Sequence, residues 1–399
     1  GDPDMNEAVA VRDEAALENQ PRLRTIFTEF LKLGCTAFGG PAIIAHIREL
    51  AVVRKNWLDS ERFKDGVILS QSIPGATAMQ VAAYVGLKTQ GVRGAAAAYA
   101  GLGLPAFFLM LLLSEFYASS RHMAPIVAVF GGLQVIVVAV VAQAVYSFGR
   151  EIVRSARSTA LAAISAVALM LGAGPFSVIA GSAVAGLLLF RDLVVTAEPA
   201  HVRGVSMVKR ILLTAGLAAG AGLLILYVVH PELLSLSLLM MRINCFAFGG
   251  GLSALPLMHH EIVSRGWMES RAFMDGIALG QVTPGPISIT GTFVGYLLFG
   301  AGGAIVATIA TFFPSFVLLL VSEPYYEQLK SSWTFARASK GVLSCFVGLL
   351  VYVTYKFGHD IPWDGARLFL VAAAFLALVR KIDILLVVLV GAIFAVVKF

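Results

Sequence analysis

The sequence predicts an all-α polytopic membrane protein built from two inverted-topology repeats with broken or re-entrant helices, about 10–13 membrane segments in all. Three observations predict it. Hydrophobic residues make up 58% of the chain and charged residues only 14%, against about 25% charge in a soluble domain. Stretches free of Asp, Glu, Lys and Arg, at 66–87, 94–114, 123–149, 158–190, 211–231 and 276–322, are mostly as long as or longer than the ~20 residues a membrane helix needs. The chain also repeats itself. A shift of about 210 positions aligns Lys32 with Arg242, Cys35 with Cys245, Phe38-Gly39-Gly40 with Phe248-Gly249-Gly250, and Trp57 with Trp267. It also aligns Asp65-Gly66 with Asp275-Gly276, Gln71 with Gln281 and Pro74-Gly75 with Pro284-Gly285. A one-residue gap carries the match on to Pro105 and Pro314. So many identities in register mark a duplicated unit.

In chain order, residues 1–4 ahead of Met5 are expected to be a vector remnant, and 5–20 a polar tail, so that 1–22 forms an N-terminal cytoplasmic segment. The first repeat is expected over 23–190. An apolar helix from about 24 breaks at Gly39-Gly40-Pro41 and continues to 53, followed by a charged connector. A second apolar segment, 66–87, carries the Pro74-Gly75 break and reads as two half-helices, and spans at 95–117 and 125–148 follow. Two short segments, 159–171 and 175–190, turn at 172–175. The connector 191–232 includes one linking helix, 211–229, with no counterpart ahead of the first repeat; the second repeat then runs over 233–399. Counting each segment as a crossing separates the copies by seven, an odd number, so the second copy enters the bilayer from the opposite side.

Basic residues support an N-terminus in the cytoplasm, in a multi-pass protein of the inner membrane. Lys88/Arg93, Arg150/Arg154/Arg157, Arg191/Arg203/Lys209/Arg210, Arg265/Arg271, Lys330/Arg337/Lys340 and Arg380/Lys381 fall on the inside, whereas Arg121 and Lys356 fall at outer ends. The connector 46–65 conflicts, being basic yet outside; a re-entrant first segment removes the conflict and lowers the number of full spans. Both readings stay open here. The net charge of +6 sits in these short loops, and no basic segment is long enough to track a nucleic-acid backbone. The three cysteines have neither metal nor disulfide spacing and are expected to pack within apolar helices. No phosphate-binding Gly-Lys-Ser/Thr loop, redox motif or catalytic triad is present, so the expected function is neither enzymatic nor driven directly by ATP, and no cofactor or metal is implied.

The paired breaks are the candidate substrate site: Gly39 and Gly40, Pro74 and Gly75, Gly249 and Gly250, Pro284 and Gly285. A broken helix frees backbone groups that hydrocarbon cannot satisfy, and a half-helix N-terminus offers N–H donors suited to an anion. The alternative is packing glycines and kinks. Arg242, in an otherwise uncharged run, and its repeat mate Lys32 would attract a dianion; Lys32 also lies where it can snorkel to the interface. Gln71, Ser72, Thr77 and Gln80 in the first copy and Gln281, Thr283, Ser288 and Thr290 in the second supply hydrogen bonds, with Gln71/Gln281 expected as buried amides needing partners. Asp65 and Asp275 read either as helix N-caps or as proton carriers. Glu115 and Glu323 read as titrating or interfacial groups, and His259-His260-Glu261 as a solvated loop or a proton relay.

These motifs resemble the chromate transporter family. Phe38-Gly39-Gly40-Pro41, Trp57, Gln71 with Pro74-Gly75, Phe248-Gly249-Gly250, Trp267, and Pro284-Gly285-Pro286 followed by 290–295 look like the two halves of its long two-domain form. The resemblance implies export of chromate across the cytoplasmic membrane, with proton antiport, chromate resistance, and sulfate as the look-alike oxyanion. A sulfate transporter or an uncoupled anion channel is the alternative. The lipid bilayer and an oxyanion are the implied partners, a homodimer the expected assembly, and nucleic acid is excluded. One departure stands out: Ala76 occupies the place of Pro286.

Overall fold

In the structure, a computed structural model, residues 21–38, 42–193 and 205–398 are described. Gly39, Gly40 and Pro41 lie outside the described residues, as does the expected tail at 5–20. Sixteen α-helices and no strand occur among the described residues. The first repeat comprises α1 (Leu23–Thr36), α2 (Ala42–Arg48, prolonged by a π-helical turn, Glu49–Arg54), α3 (Ser60–Ser72), α4 (Thr77–Ser120), α5 (Ala124–Ile152), α6 (Ala156–Met170) and α7 (Pro175–Leu189). After the linking helix α8 (Val205–Val229), the second repeats the order: α9 (Pro231–Phe246), α10 (Gly251–Ser264), α11 (Ser270–Val282) and α12 (Thr290–Ser322, entered through a 3-10 turn, Ile287–Ile289). A short α13 (Tyr326–Ser331) precedes α14 (Trp333–Asp360), α15 (Gly365–Val379) and α16 (Ile384–Lys398).

The longest helices are not straight. α4 leaves helical geometry at Gln90 and Gly91 (φ 61°), and α12 at Phe299 and Gly300 (φ 63°). Glycine adopts such angles at little cost, and each break is a reversal. Residues 77–89 fold back on 92–120 so closely that a Cβ at Gly86 would lie 2.2 Å from the Gly94 carbonyl oxygen, and one at Gly295 2.2 Å from that of Gly303. The preceding helix folds back as well. Gly66 of α3 faces the Tyr84 ring, and Gly276 of α11 faces Phe293, each within 2.3 Å of a hypothetical Cβ. α3 with 77–89, and α11 with 290–298, are therefore re-entrant hairpins whose tips are the Pro-Gly breaks. Expected as spans, these segments begin and end at the same face.

α1 and α2 form a hairpin too. Lys55 pairs with Glu29 at 3.3 Å, and Trp57 stacks near Phe30 with ring centroids 6.4 Å apart. That fold returns the basic connector to the face from which α1 starts, so its conflict with the charge rule disappears. α6 and α7 close similarly: the Arg157 guanidinium donates to the Leu189 carbonyl at 2.9 Å and meets Asp192 at 2.6 Å. Among the described residues, five helical stretches are long and apolar enough to cross a membrane; after the reversals they are 92–120, α5, α8, 301–322 and α14. Three of these separate the copies, not seven. The number is still odd, so the inversion holds.

The repeats interlock. The α6/α7 hairpin packs on α14, where a Cβ at Gly341 would sit 2.2 Å from the Ser182 carbonyl oxygen; α16 packs on α5, where one at Gly132 would sit 2.3 Å from Ala395 Cβ. In lipid, contact of this kind between small residues replaces the hydrophobic effect as the force between helices. α8 stands outermost, with Leu217 65% and Val228 74% exposed, an apolar surface suited to acyl chains.

Candidate functional site

The hairpin tips meet across the pseudo-two-fold. The Gly75 amide donates to the Ala247 carbonyl at 2.9 Å, and the repeat-equivalent Gly285 amide donates to the Ala37 carbonyl at 3.1 Å. Both glycines hold φ values, 130° and 115°, that side-chain-bearing residues avoid. Each has its neighbour pressed close: a Cβ at Gly75 would lie 2.4 Å from Ser315 Oγ, and one at Gly285 2.7 Å from Ala106 Cβ. The Pro-Gly sequence is thus explained by the tip-to-tip bond, which leaves no room for a side chain.

Beyond that bond the two tips differ. In the first, the Ala76 amide donates to Ser315 Oγ at 2.9 Å, and the Gln80 amide nitrogen donates to the carbonyls of Pro74 (2.9 Å) and Ser315 (3.2 Å). Its donors are occupied. In the second, Pro286 has no N–H to give, and Ala106 stands where the shift would place Ser315. The departure at Ala76 therefore makes the first tip self-satisfied.

At the second tip two helix starts converge. α10 begins at Gly250-Gly251, and the turn Ile287–Ile289 that leads into α12 lies beside it. From an ideal Cβ on Gly251, Ser288 Oγ is 3.0 Å, the Ser288 amide 3.3 Å and the Ile287 amide 3.6 Å distant. Thr77 of the first repeat closes the group, its Oγ1 3.2 Å from an ideal Cβ on Gly250. First-turn amides have no intrahelical acceptor. Ser288 is 1% exposed and its hydroxyl has no hydrogen-bond partner, a feature shared by the Nε2 of Gln281, which is 4% exposed. Buried polar groups are normally satisfied. Gln80 Oε1 and both side-chain polar atoms of Asn244 are unpartnered as well, but it is the Ser288 hydroxyl, able to donate, that stands beside two helix N-termini, the electrostatic setting that suits an anion.

The remaining predicted residues fall elsewhere or are occupied locally. Gln71 is exposed, which corrects its expected burial, so of this pair Gln281 alone is a buried amide. Ser72 donates to the Ile68 carbonyl, Thr283 to that of Leu279 and Thr290 to that of Ile287. Lys32 is an exposed partner of Glu29 at 3.3 Å. Arg242, also exposed, stacks over the Phe176 ring at 3.7 Å, one turn before α9 ends at the tip.

Asp65 and Asp275 are not N-caps. Those positions belong to Asp59, which accepts from the Arg62 amide, and to Glu269. The two aspartates sit within α3 and α11 and bond across the repeats: Tyr326 Oη donates to Asp65 at 2.9 Å, and Tyr117 Oη donates to Asp275 at 2.8 Å. Gln134 adds a second donor to Asp275 at 2.7 Å. A cavity adjoins each pair. Tyr117, Asp275, Arg121, Arg271 and Arg367 line one of about 680 Å³, and Asp65, Tyr326, Arg62, Lys88 and Glu323 line one of about 380 Å³. Arg121 and Arg271 share a cavity, so they lie at one end of the molecule, which corrects the expected placement of Arg271 on the side opposite Arg121. His259-His260-Glu261 lies within α10 and is not a loop; His259 is buried and reaches Ser270 Oγ at 2.9 Å. Glu323 pairs with Lys88, and Glu115 is exposed on α4.

The chromate transporter profile matches residues 24–187 and again 234–396. The chain belongs to the chromate transporter family. An uncharacterized transporter of Methanocaldococcus jannaschii is 42% identical over 95% of both chains. A chromate transport protein of Pseudomonas aeruginosa is 30% identical over 91% of this chain and 89% of its own. A probable chromate transport protein of Synechococcus elongatus is 27% identical over 85% and 86%. No solved structure matches.

For this family member, the sequence reading missed Tyr117, Tyr326, Gln134 and Ser315. The tyrosines had a signal: the one-residue gap that aligns Pro105 with Pro314 also aligns Tyr117 with Tyr326, each close to the end of a long apolar run. Ser315 had none, because its partner is a backbone amide that no side-chain pattern records. Cys35 and Cys245 are exposed, against the expectation of packing, and Cys345 is buried.

Proposed function

We propose that this protein is a secondary active exporter of chromate across the cytoplasmic membrane, driven by the membrane potential or coupled to protons, and that it confers chromate resistance. The observation that carries the reading is the convergence of two helix N-termini on the buried, unpartnered hydroxyl of Ser288. Backbone amides and hydroxyls can donate to every oxygen of a tetrahedral dianion. The named relatives from Pseudomonas and Synechococcus supply the ion.

The charge distribution supports placing the Asp65 end in the cytoplasm. Arg62, Lys88 and Lys330 gather there, and Lys330 leads through the start of α14 to Arg337, which donates to the Arg191 carbonyl. Direction follows from voltage. Moving one charge through 100 mV is worth roughly 2.3 kcal/mol, so a dianion leaving a negative cytoplasm gains roughly twice that. Inward proton flow would add to it, with Asp65 and Asp275 as the candidate carriers. The linked repeats suit alternating access, one rocking against the other around the tips.

Sulfate is the second reading, because it too is a tetrahedral dianion and would meet the same donors. Proteoliposomes of fixed orientation, loaded with labelled chromate, test the proposal. Saturable outward flux that rises with an interior-negative potential is expected. Flux that never saturates would indicate a channel, indifference to an imposed pH gradient would remove proton coupling, and full competition by sulfate at equal concentration would shift the substrate assignment.

A further inference from the structure

The two Tyr–Asp bonds share four properties. Each joins one repeat to the other, Tyr117 with Asp275 and Tyr326 with Asp65. The two bonds exchange under the same alignment that relates the repeats. Each adjoins its own cavity. And each aspartate lies nine residues before the Pro-Gly tip of its own hairpin, at Pro74 and Pro284, or about 14 Å along a helix at 1.5 Å per residue. A bond so placed lines its cavity on the same hairpin whose tip helps form the site. Because the repeats are inverted, rocking one against the other lengthens inter-repeat distances at one end while shortening them at the other, so both bonds are not kept through a cycle.

We propose that these bonds are the alternating gates of transport, Tyr117–Asp275 closing one end and Tyr326–Asp65 the other. The inference rests on the alternating-access reading above. In the present structure both gates are made and the tips are bonded to the opposite repeat, which is an occluded arrangement. The gates are unequal. Asp275 is 6% exposed and held by Tyr117 and Gln134 together. The Asp65 side chain is 37% exposed, with Tyr326 as its close donor and Lys330 no nearer than 4.0 Å. The Asp65 gate therefore opens more readily, and at rest the tip site is reached chiefly from that end. Tyr117 and Tyr326 act as positioning residues that set which side the site faces.

A thiol placed at the buried tip site reports on this. Ser288 is 1% exposed beside the tip, whereas the native Cys35 and Cys245 are exposed with both gates made. In a Ser288→Cys variant with Cys35, Cys245 and Cys345 replaced by alanine, a membrane-impermeant maleimide is applied to each face of oriented proteoliposomes. With both gates intact, labelling from the Asp65 side should be the faster. Tyr117→Phe should raise labelling of the tip thiol from the Asp275 side by about tenfold or more, the worth of a hydrogen bond to a charged acceptor, and lower it from the Asp65 side. Tyr326→Phe should increase the bias towards the Asp65 side. The double variant should admit reagent from both faces. Equal changes from both faces in the single variants, or none in proteins with the parental melting temperature, would overturn the gate assignment. Equal labelling from both faces before any gate is altered would instead remove the alternating-access reading beneath it.

Discussion

Removing the Ser288 hydroxyl should separate the needs of the fold from those of transport. The group is 1% exposed and has no hydrogen-bond partner, so in the protein alone Ser288→Ala deletes an unsatisfied buried polar atom. That change is expected to be neutral or slightly stabilising, since an unmet buried hydroxyl costs about 1–3 kcal/mol. With the dianion bound, the same hydroxyl donates to a charged oxygen, an interaction worth about 1.5–3 kcal/mol. At about 1.4 kcal/mol per factor of ten, half-saturation for chromate should rise roughly 10- to 150-fold. The assay is initial-rate flux in oriented proteoliposomes, with the melting temperature of the detergent-purified protein measured beside it. An unchanged or higher melting temperature with weakened half-saturation is the expected pair. A lower melting temperature with unchanged half-saturation would show that Ser288 serves packing, and the convergent-donor site would fall.

Four further outcomes follow from the same geometry. Gly285→Ala combines backbone strain of about 1–3 kcal/mol with an overpacking contact at Ala106 costing about 1–3 kcal/mol; it should lower the melting temperature and abolish flux, and a wild-type melting temperature would contradict the tip contact. Gly86→Ala drives a Cβ into the Gly94 carbonyl at 2.2 Å and should reduce the yield of folded protein, whereas Gly91→Ala, with open space around it but a φ of 61°, should cost only about 1–2 kcal/mol. Asp65→Asn or Asp275→Asn keeps an acceptor for its tyrosine and should leave the fold intact while removing stimulation by a pH gradient; retained stimulation in both would exclude them as carriers. Arg242→Gln forfeits its stacking on Phe176, about 0.5–1 kcal/mol at an exposed site, so the protein should fold and keep near-normal chromate affinity; loss of saturable flux would place Arg242 in the site.

Much of the architecture was legible because it rests on composition and on a long internal match. Charge-free runs, the shift of about 210 positions and the paired Pro-Gly breaks lead directly to the hairpin tips. What the sequence concealed was direction within each segment. A reversal at Pro74-Gly75 or Pro284-Gly285 adds no charged residue to the apolar run, so hydropathy reads one broken span where the chain folds back. The count of crossings was wrong for that reason, while its parity survived because the segments that return to their starting face, 24–53 and 66–87 with 159–171 and 175–190, account for four of the crossings counted. The basic connector at 46–65 was the exception, a charge conflict that did point to re-entrance. At the site, glycine and proline positions were readable since backbone geometry dictates them. Gln71 misled, because equivalence between repeats does not guarantee equal burial. Asp65 and Asp275 misled for another reason: their partners come from the opposite repeat, far away in sequence.

The central claim, that a tetrahedral dianion is held by the amides of α10 and the Ile287–Ile289 turn together with Ser288, is most directly tested by locating the ion. Anomalous diffraction at the chromium edge from chromate-soaked crystals should place a single membrane-embedded peak within hydrogen-bond reach of the Gly251 and Ser288 amides. A peak over Arg242, or one confined to the cavity beside Arg121 and Arg271 with the tip site empty, would contradict it.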